Sequence, residues 1–152
     1  MEGIDREILA LLSENGRMSF TDIGKKTGLS TSAAQQRVRR LEQRGYIDGY
    51  RADVNAQAVG RALTAFISVR PLDPRDDGLI PEQVTTIPQI TACYSVAGDA
   101  SYLLLAQVGT TSELDSLLTV LRSRTQLMTT TTVVLSTIFR NRPLVLLDGD
   151  VE

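Results

Sequence analysis

Residues 19–45 read SFTDIGKKTGLSTSAAQQRVRRLEQRG, and this stretch decides how the first half of the chain folds. Ser19 suits a helix N-cap, with Asp22 in the first turn where the positive end of the helix favours a carboxylate. The helix is short, about Phe20 to Thr27, and Gly28 ends it. Ser30 then caps a second helix whose buried stripe is Ala34, Val38 and Leu41, spaced by four and three, and Gly45 closes it. Two helices meeting steeply need a small residue at the contact and a Gly at the turn, and Gly24 and Gly28 stand at those positions. The pattern predicts a helix–turn–helix.

Working outward, Ile4, Ile8, Leu11 and Leu12 fall on one helical stripe ahead of it, stopped near Gly16. Behind it, Tyr46 to Val54 suits a small strand or wing. The period then changes. Leu63, Ala65, Ile67 and Val69 alternate with Ala62, Thr64, Phe66 and Ser68, which predicts a strand. Pro71 to Gly78 reads as a loop and Ile80 to Thr86 as a short helix with Pro81 in its first turn. Ile90–Val96 and Tyr102–Val108 read as strands joined at Gly98-Asp99. Thr110 and Glu113 have capping-box spacing ahead of a Leu114, Leu117, Leu118, Leu121 stripe, and Met128 to Phe139 reads as a last strand. The order β-α-β-β-α-β is the split βαβ of ferredoxin-like domains. The expected fold class is therefore α+β, with a (winged) helix-turn-helix over 1–52, a hinge over 53–60, a ferredoxin-like domain over 61–139 and a tail over 140–152.

Composition excludes several functions. The chain has 152 residues, a formal charge of −2, one Cys and no His. Without His there is no imidazole metal site and no His acid–base or His-activated nucleophile. One Cys makes no intrachain disulfide, and Cys93 reads as a small core or strand residue because no basic neighbour activates it. Acids rather than bases over Met1–Asp5, and no long apolar run, predict a soluble, cytoplasmic chain that neither spans nor needs a membrane. No catalysis and no cofactor are expected. A small ferredoxin-like enzyme is the contrary reading, but residues 90–139 carry only Asp99, Glu113 and Asp115 as acids, with no Lys.

The total charge hides a block. Residues 25–44 hold six bases and one acid. Alone, such a run is more often a solvated helix face. Here it coincides with the second helix of the helix–turn–helix. With Ala34, Val38 and Leu41 inward, Thr31, Ser32, Gln35, Gln36 and Arg39 face outward, and these side chains can bond base edges in a major groove. Ser30 stands at the same helix start. Lys25, Lys26, Arg37, Arg40 and Arg44 are placed for phosphates, which hold a duplex without reading it, although some of these arginines can instead pair with Glu42 or neighbouring acids. Double-stranded DNA is the expected partner.

Residues 4–50 resemble the Lrp/AsnC family of bacterial and archaeal transcription regulators. Ile4-Asp5-Arg6-Glu7-Ile8-Leu9, Asn15-Gly16-Arg17, Gly28-Leu29-Ser30, Arg37-Val38-Arg39-Arg40-Leu41-Glu42 and Gly45-Tyr46-Ile47 carry the likeness. Cys93-Tyr94-Ser95-Val96-Ala97-Gly98-Asp99 extends it into the second half, so that it covers about residues 4–139. The resemblance implies a regulator whose second domain binds a small effector, usually an amino acid, and assembles dimers into larger oligomers, often octamers. Carried over, the effector residues are Gly98, Asp99, Ala100, Ser101 and Tyr102 in the turn, and Thr131, Thr132, Val133 and Val134 in the last strand. Turn carbonyls, a carboxylate and hydroxyls can satisfy a zwitterion. The family turn commonly runs Gly-Asp-aromatic-Asp-Tyr. Ala100 and Ser101 depart from it, which removes one charge and enlarges the pocket. An architectural DNA-wrapping protein without effector response is the alternative this departure suggests.

Independently, a four-stranded sheet with both helices on one face leaves the other face uncovered. The consecutive Leu103, Leu104 and Leu105 are apolar toward both faces, so a homodimer interface is expected there. Pro143 to Leu147 could dock on a partner subunit, and Asp148 onward reads as a disordered end.

Overall fold

The computed structural model describes residues 3–124 and 126–144. They group into two units, one running to Asp53 and resuming at Phe139, the other spanning Val54–Ile138. The part of the tail from residue 145 onward, with most of the docking segment expected over Pro143–Leu147 and the expected disordered end, lies outside the described residues.

In the first unit α1 is Gly3–Glu14, α2 Phe20–Thr27 and α3 Thr31–Gln43. The caps are those the sequence predicts. Ser19 Oγ accepts from the Asp22 N–H at 3.1 Å, and Ser30 Oγ accepts from the Ala33 N–H at 3.2 Å. Gly28 closes α2 in the left-handed region at φ 71°, and the Leu29 N–H reaches back to Gly24 O at 2.9 Å. Gly24 is the contact residue: a Cβ built there would stand 2.6 Å from Leu29 O, so only Gly lets the turn pass this closely. Ile8, Leu9, Ile23, Ala34, Val38 and Leu41 form the core, with Ile4, Leu12, Met18, Leu29 and Ile47 against it. Each large side chain so buried contributes about 1.5–3 kcal/mol relative to exposure. Leu9 joins this core while the expected Leu11 is buried outside it.

The expected strand over Tyr46–Val54 is absent. The segment is irregular, because no neighbouring strand is present to take its backbone groups. It is tied by side chains instead. Tyr50 Oη donates to Glu42 Oε1 at 2.9 Å, and the Tyr50 ring lies where a Cβ at position 16 would meet it at 3.4 Å. In the tail, Arg140 bonds Asp53 at 2.9 Å and Arg142 lies over the Phe139 ring.

In the second unit β1 is Leu63–Pro71, α4 Ile80–Thr85, β2 Ile90–Ser95, β3 Tyr102–Val108, α5 Thr111–Arg124 and β4 Leu127–Val133. The expected Pro-rich loop winds into a 3-10 turn over Pro74–Leu79. The sheet order is β2-β3-β1-β4 with every pair antiparallel. Ala65, Ile67 and Val69 of β1 and Leu104, Ala106 and Val108 of β3 point to one face, where Ile80, Val84, Leu114, Leu117 and Leu121 cover them. Half of the Thr110–Glu113 capping box forms: Thr110 Oγ1 accepts from the Glu113 N–H at 3.1 Å, while the Glu113 carboxylate accepts from the Gly109 N–H at 2.8 Å, one residue before the cap.

The opposite face carries Tyr94, Leu103, Leu105, Phe66, Met128, Thr130 and Thr132, by the registers Phe66↔Leu105, Ser68↔Leu103, Tyr94↔Leu103 and Phe66↔Thr132. No element of this unit covers it, and Phe66 and Tyr94 are exposed. The last strand is shorter than expected. Val133 faces Ala65 and the Val134 N–H bonds Thr64 O, after which β1 has almost run out. Residues 135–139 therefore have no ladder partner and are irregular, with Leu135 and Ile138 exposed. Among the described residues no helix is long and apolar enough to cross a membrane.

Candidate nucleic-acid interface and effector groove

The buried stripe of α3 is Ala34, Val38 and Leu41. Turning the helix by its period leaves Thr31, Ser32, Gln36, Arg39 and Arg40 exposed on its other side, with Gln35 half-buried. Lys25 and Lys26, in the last turn of α2, are exposed as well. Not every expected residue is free. Ser30 Oγ is held by its cap bond and lies 3.1 Å from Ser32 Oγ. Thr31 Oγ1 donates to Thr21 Oγ1 at 3.4 Å.

Arg37 departs from the expected phosphate role. Its Nη1 bonds Asp5 Oδ1 at 2.7 Å, with the two side chains 22% and 10% exposed. Position 37 lies one residue before the buried Val38, so its guanidinium turns back toward α1 rather than outward. The pair pins α3 to α1. A second fastening is the Tyr50–Glu42 bond. Partial burial, the bond to Glu42 and the charge of Glu42 together push the Tyr50 phenol up to about 12, so it stays protonated and donating.

In the second unit, the turn between β2 and β3 is set by Gly98, whose φ of 147° disfavours any side chain. The Val96 N–H donates to Ser101 O at 3.1 Å, and the Ser101 N–H donates to Val69 O at 3.0 Å. The turn thus leans on the end of β1. A groove of about 700 Å³ opens there, lined by Gly98, Asp99 and Ala100 together with Arg70, Met128, Thr129 and Thr130. A second groove, of about 460 Å³, continues past Asp77 and Ser101 and again includes Arg70, Gly98, Asp99, Ala100 and Met128.

The strand residues brought to the turn are therefore Met128, Thr129 and Thr130, not Thr131, Thr132, Val133 and Val134. β4 begins at Leu127 and runs away from the turn, so each later residue is about 3.4 Å farther off. Thr131 also pairs with Ile67, on the helix-covered side, and Tyr102 packs against the core. Cys93 is exposed, and partial burial alone raises its thiol.

Residues 1–42 match the AsnC-type helix-turn-helix domain, and residues 64–144 match the Lrp/AsnC ligand binding domain. The HTH-type transcriptional regulator LrpA of Mycobacterium tuberculosis is 39% identical over 142 residues, 93% of this chain and 95% of that one. The chain belongs to the Lrp/AsnC family of transcriptional regulators. Within that family, the leucine-responsive regulatory protein of Escherichia coli is 36% identical over 112 residues, 71% of this chain and 67% of that protein. Among solved structures, a feast or famine regulatory protein from M. tuberculosis, complexed with L-methionine, superposes with a TM-score of 0.88. It is 38% identical, and the match covers 95% of this chain and 99% of that one.

Two parts of this Lrp/AsnC chain were not foreseen from its sequence. Asp5 and Arg37 are 32 positions apart, and no periodicity links them. Arg70 and Asp77 border the turn through strand register and a 3-10 turn, neither of which local pattern reveals. The exposure of Arg39, by contrast, followed directly from the helical period.

Proposed function

We propose that this Lrp/AsnC regulator binds specific sites in double-stranded DNA in the cytoplasm, as a homodimer that assembles further, to an octamer, and whose assembly answers to an amino acid or related metabolite. What carries the reading is α3. Its inward face is spent on the core, while Ser32, Gln36, Arg39 and Arg40 are exposed beside Lys25 and Lys26. Polar side chains near a helix start can read base edges in the major groove, and flanking bases can hold phosphates. Two copies place two such helices on half-sites about one helical turn apart.

The uncovered sheet face supports the dimer. Phe66 and Tyr94 are exposed on it beside the half-buried Leu103 and Leu105, and a second copy can cover this apolar strip with its own. The effector groove lies beside this face, since Ser68 and Leu103 line both. A ligand bound there alters what the interface buries, which is the link from metabolite to assembly. The structure solved with L-methionine belongs to a relative, and it supports an amino acid as the effector class. The protein works by binding, with residues 1–52 reading DNA, 53–60 as hinge and 61–139 as sensor, and it uses no cofactor.

Fluorescence anisotropy with the DNA upstream of the protein's own gene tests this. Affinity is expected to fall roughly a thousandfold between 50 and 200 mM salt as phosphate contacts are screened. Thermal shift against the twenty amino acids tests the sensor. Salt-sensitive binding with no stabilising amino acid would favour the architectural alternative, which the uncharged Ala100-Ser101 turn motivates. Binding that ignores salt would remove the DNA reading altogether.

A further inference from the structure

The two grooves at the turn are one chemical environment. Arg70, Gly98, Asp99, Ala100 and Met128 border both, and the methyl of Ala100 does little to divide them. Three charged side chains line the joined space: Arg70, Asp99 and Asp77. Arg70 is exposed and has no ion-pair partner among the described residues. Asp77 is half-buried at the border of the second groove, and its inner oxygen, Oδ1, has no hydrogen-bond donor among the described residues, which leaves its carboxylate to be compensated from the groove side. The nearby cation does not serve it, because Arg75 is committed to Asp73 through contacts of 2.7 and 3.1 Å.

The charge pattern selects a ligand. An amino acid with a neutral side chain has one carboxylate and one ammonium. It can answer Arg70 and one Asp, and it leaves the second carboxylate uncompensated. A buried acceptor without a donor is costly, and a charge more so. A ligand with two cations and one anion answers all three. We propose that the effector is an α-amino acid whose side chain ends in a cation, with its carboxylate on Arg70, its α-ammonium on Asp99 and its side-chain cation on Asp77. This rests on the reading of the turn as the effector site.

The test uses the full-length protein in calorimetric titrations with L-lysine and with L-norleucine, which has the same carbon chain but no terminal ammonium. Lysine is expected to bind at least about tenfold more tightly, as one charge-assisted contact allows. Asp77→Asn is expected to weaken lysine about tenfold, so that the two ligands converge, and Arg70→Gln to weaken both. Circular dichroism and salt-sensitive DNA binding report that each variant is folded.

Norleucine binding as tightly as lysine, or lysine indifferent to Asp77→Asn, would overturn the inference. If norleucine binds and Asp99→Asn abolishes its binding while lysine shows no advantage, the effector site stands and the cationic preference falls. If none of the twenty amino acids binds, the effector reading and the inference fall together.

Discussion

β1 shows two neighbouring residues with opposite employment. Ile67 is 0% exposed and packed under the helices, whereas Phe66, one residue earlier, is 39% exposed on the uncovered face. Helix α3 in the other unit is divided the same way. Val38 is buried in the core, Arg39 is exposed, and between them the strand's alternation is replaced by a helical turn. The comparison teaches that each of these elements spends one face on the core and leaves the other exposed, which is the face the proposed function uses for association. Composition does not distinguish the faces, since both sides of the sheet are apolar.

The largest effect is expected from Ile67→Ala. Deleting a fully buried branched side chain leaves a cavity and costs about 2–5 kcal/mol. Calorimetry should show the second unit melting more than about 10 °C lower. Phe66→Asp is the contrasting variant. It should keep the far-ultraviolet dichroism of the parent while sedimentation velocity shows dissociation to monomers. If Phe66→Asp remains fully assembled, the uncovered face is not the interface and the division fails for the sheet.

Next in size is the Asp5–Arg37 pair, which sharpens the same division for α3. Asp5→Asn removes the carboxylate charge that the partly exposed Arg37 guanidinium bonds at 2.7 Å. The expected loss is about 2 kcal/mol by urea denaturation, below the value for a fully buried pair because Arg37 keeps some access to water. The double variant Asp5→Leu/Arg37→Met should recover most of that loss. It should also keep the salt dependence of DNA binding, whereas Arg40→Met, at an exposed phosphate-facing position, lowers the logarithmic slope by about 1. Equal slopes for the two variants would break the distinction between the inward and the outward arginine.

These cases show how much the chain reveals before folding. The faces of α3 were legible because Ser30, Gly28 and the 34-38-41 stripe are local signals. The sheet topology was legible because alternation and Gly-Asp turns are local too. The end of β4 was not, because it depends on where β1 begins, and the expectation of a strand to Phe139 followed propensity alone. The groove was half legible. Gly98 and Asp99 mark a turn by their chemistry, but Met128, Arg70 and Asp77 arrive beside it only through pairing. Arg37 looked identical to Arg40 and Arg44 until Asp5, far away in sequence, was folded against it.

The smallest effect is expected at the irregular segment after α3, where the Tyr50–Glu42 bond is one of the side-chain ties that stand in for the missing strand. Tyr50 is raised to about 12 from an ordinary 10, because burial and Glu42 favour the neutral phenol. A folded-state value above the unfolded one gives stability that is fully present below pH 10 and is lost as pH rises toward 12. The phenol is about half exposed, so the hydrogen bond is worth only about 0.5 kcal/mol. Urea titrations from pH 9 upward should show the first unit weakening as the phenol ionises, with the second unit's own decline as reference. Tyr50→Phe should lower stability slightly at neutral pH and remove that unit's excess loss above pH 10. An excess loss that survives in Tyr50→Phe would mean that another group fastens the segment, and that the bond to Glu42 follows its position rather than fixing it.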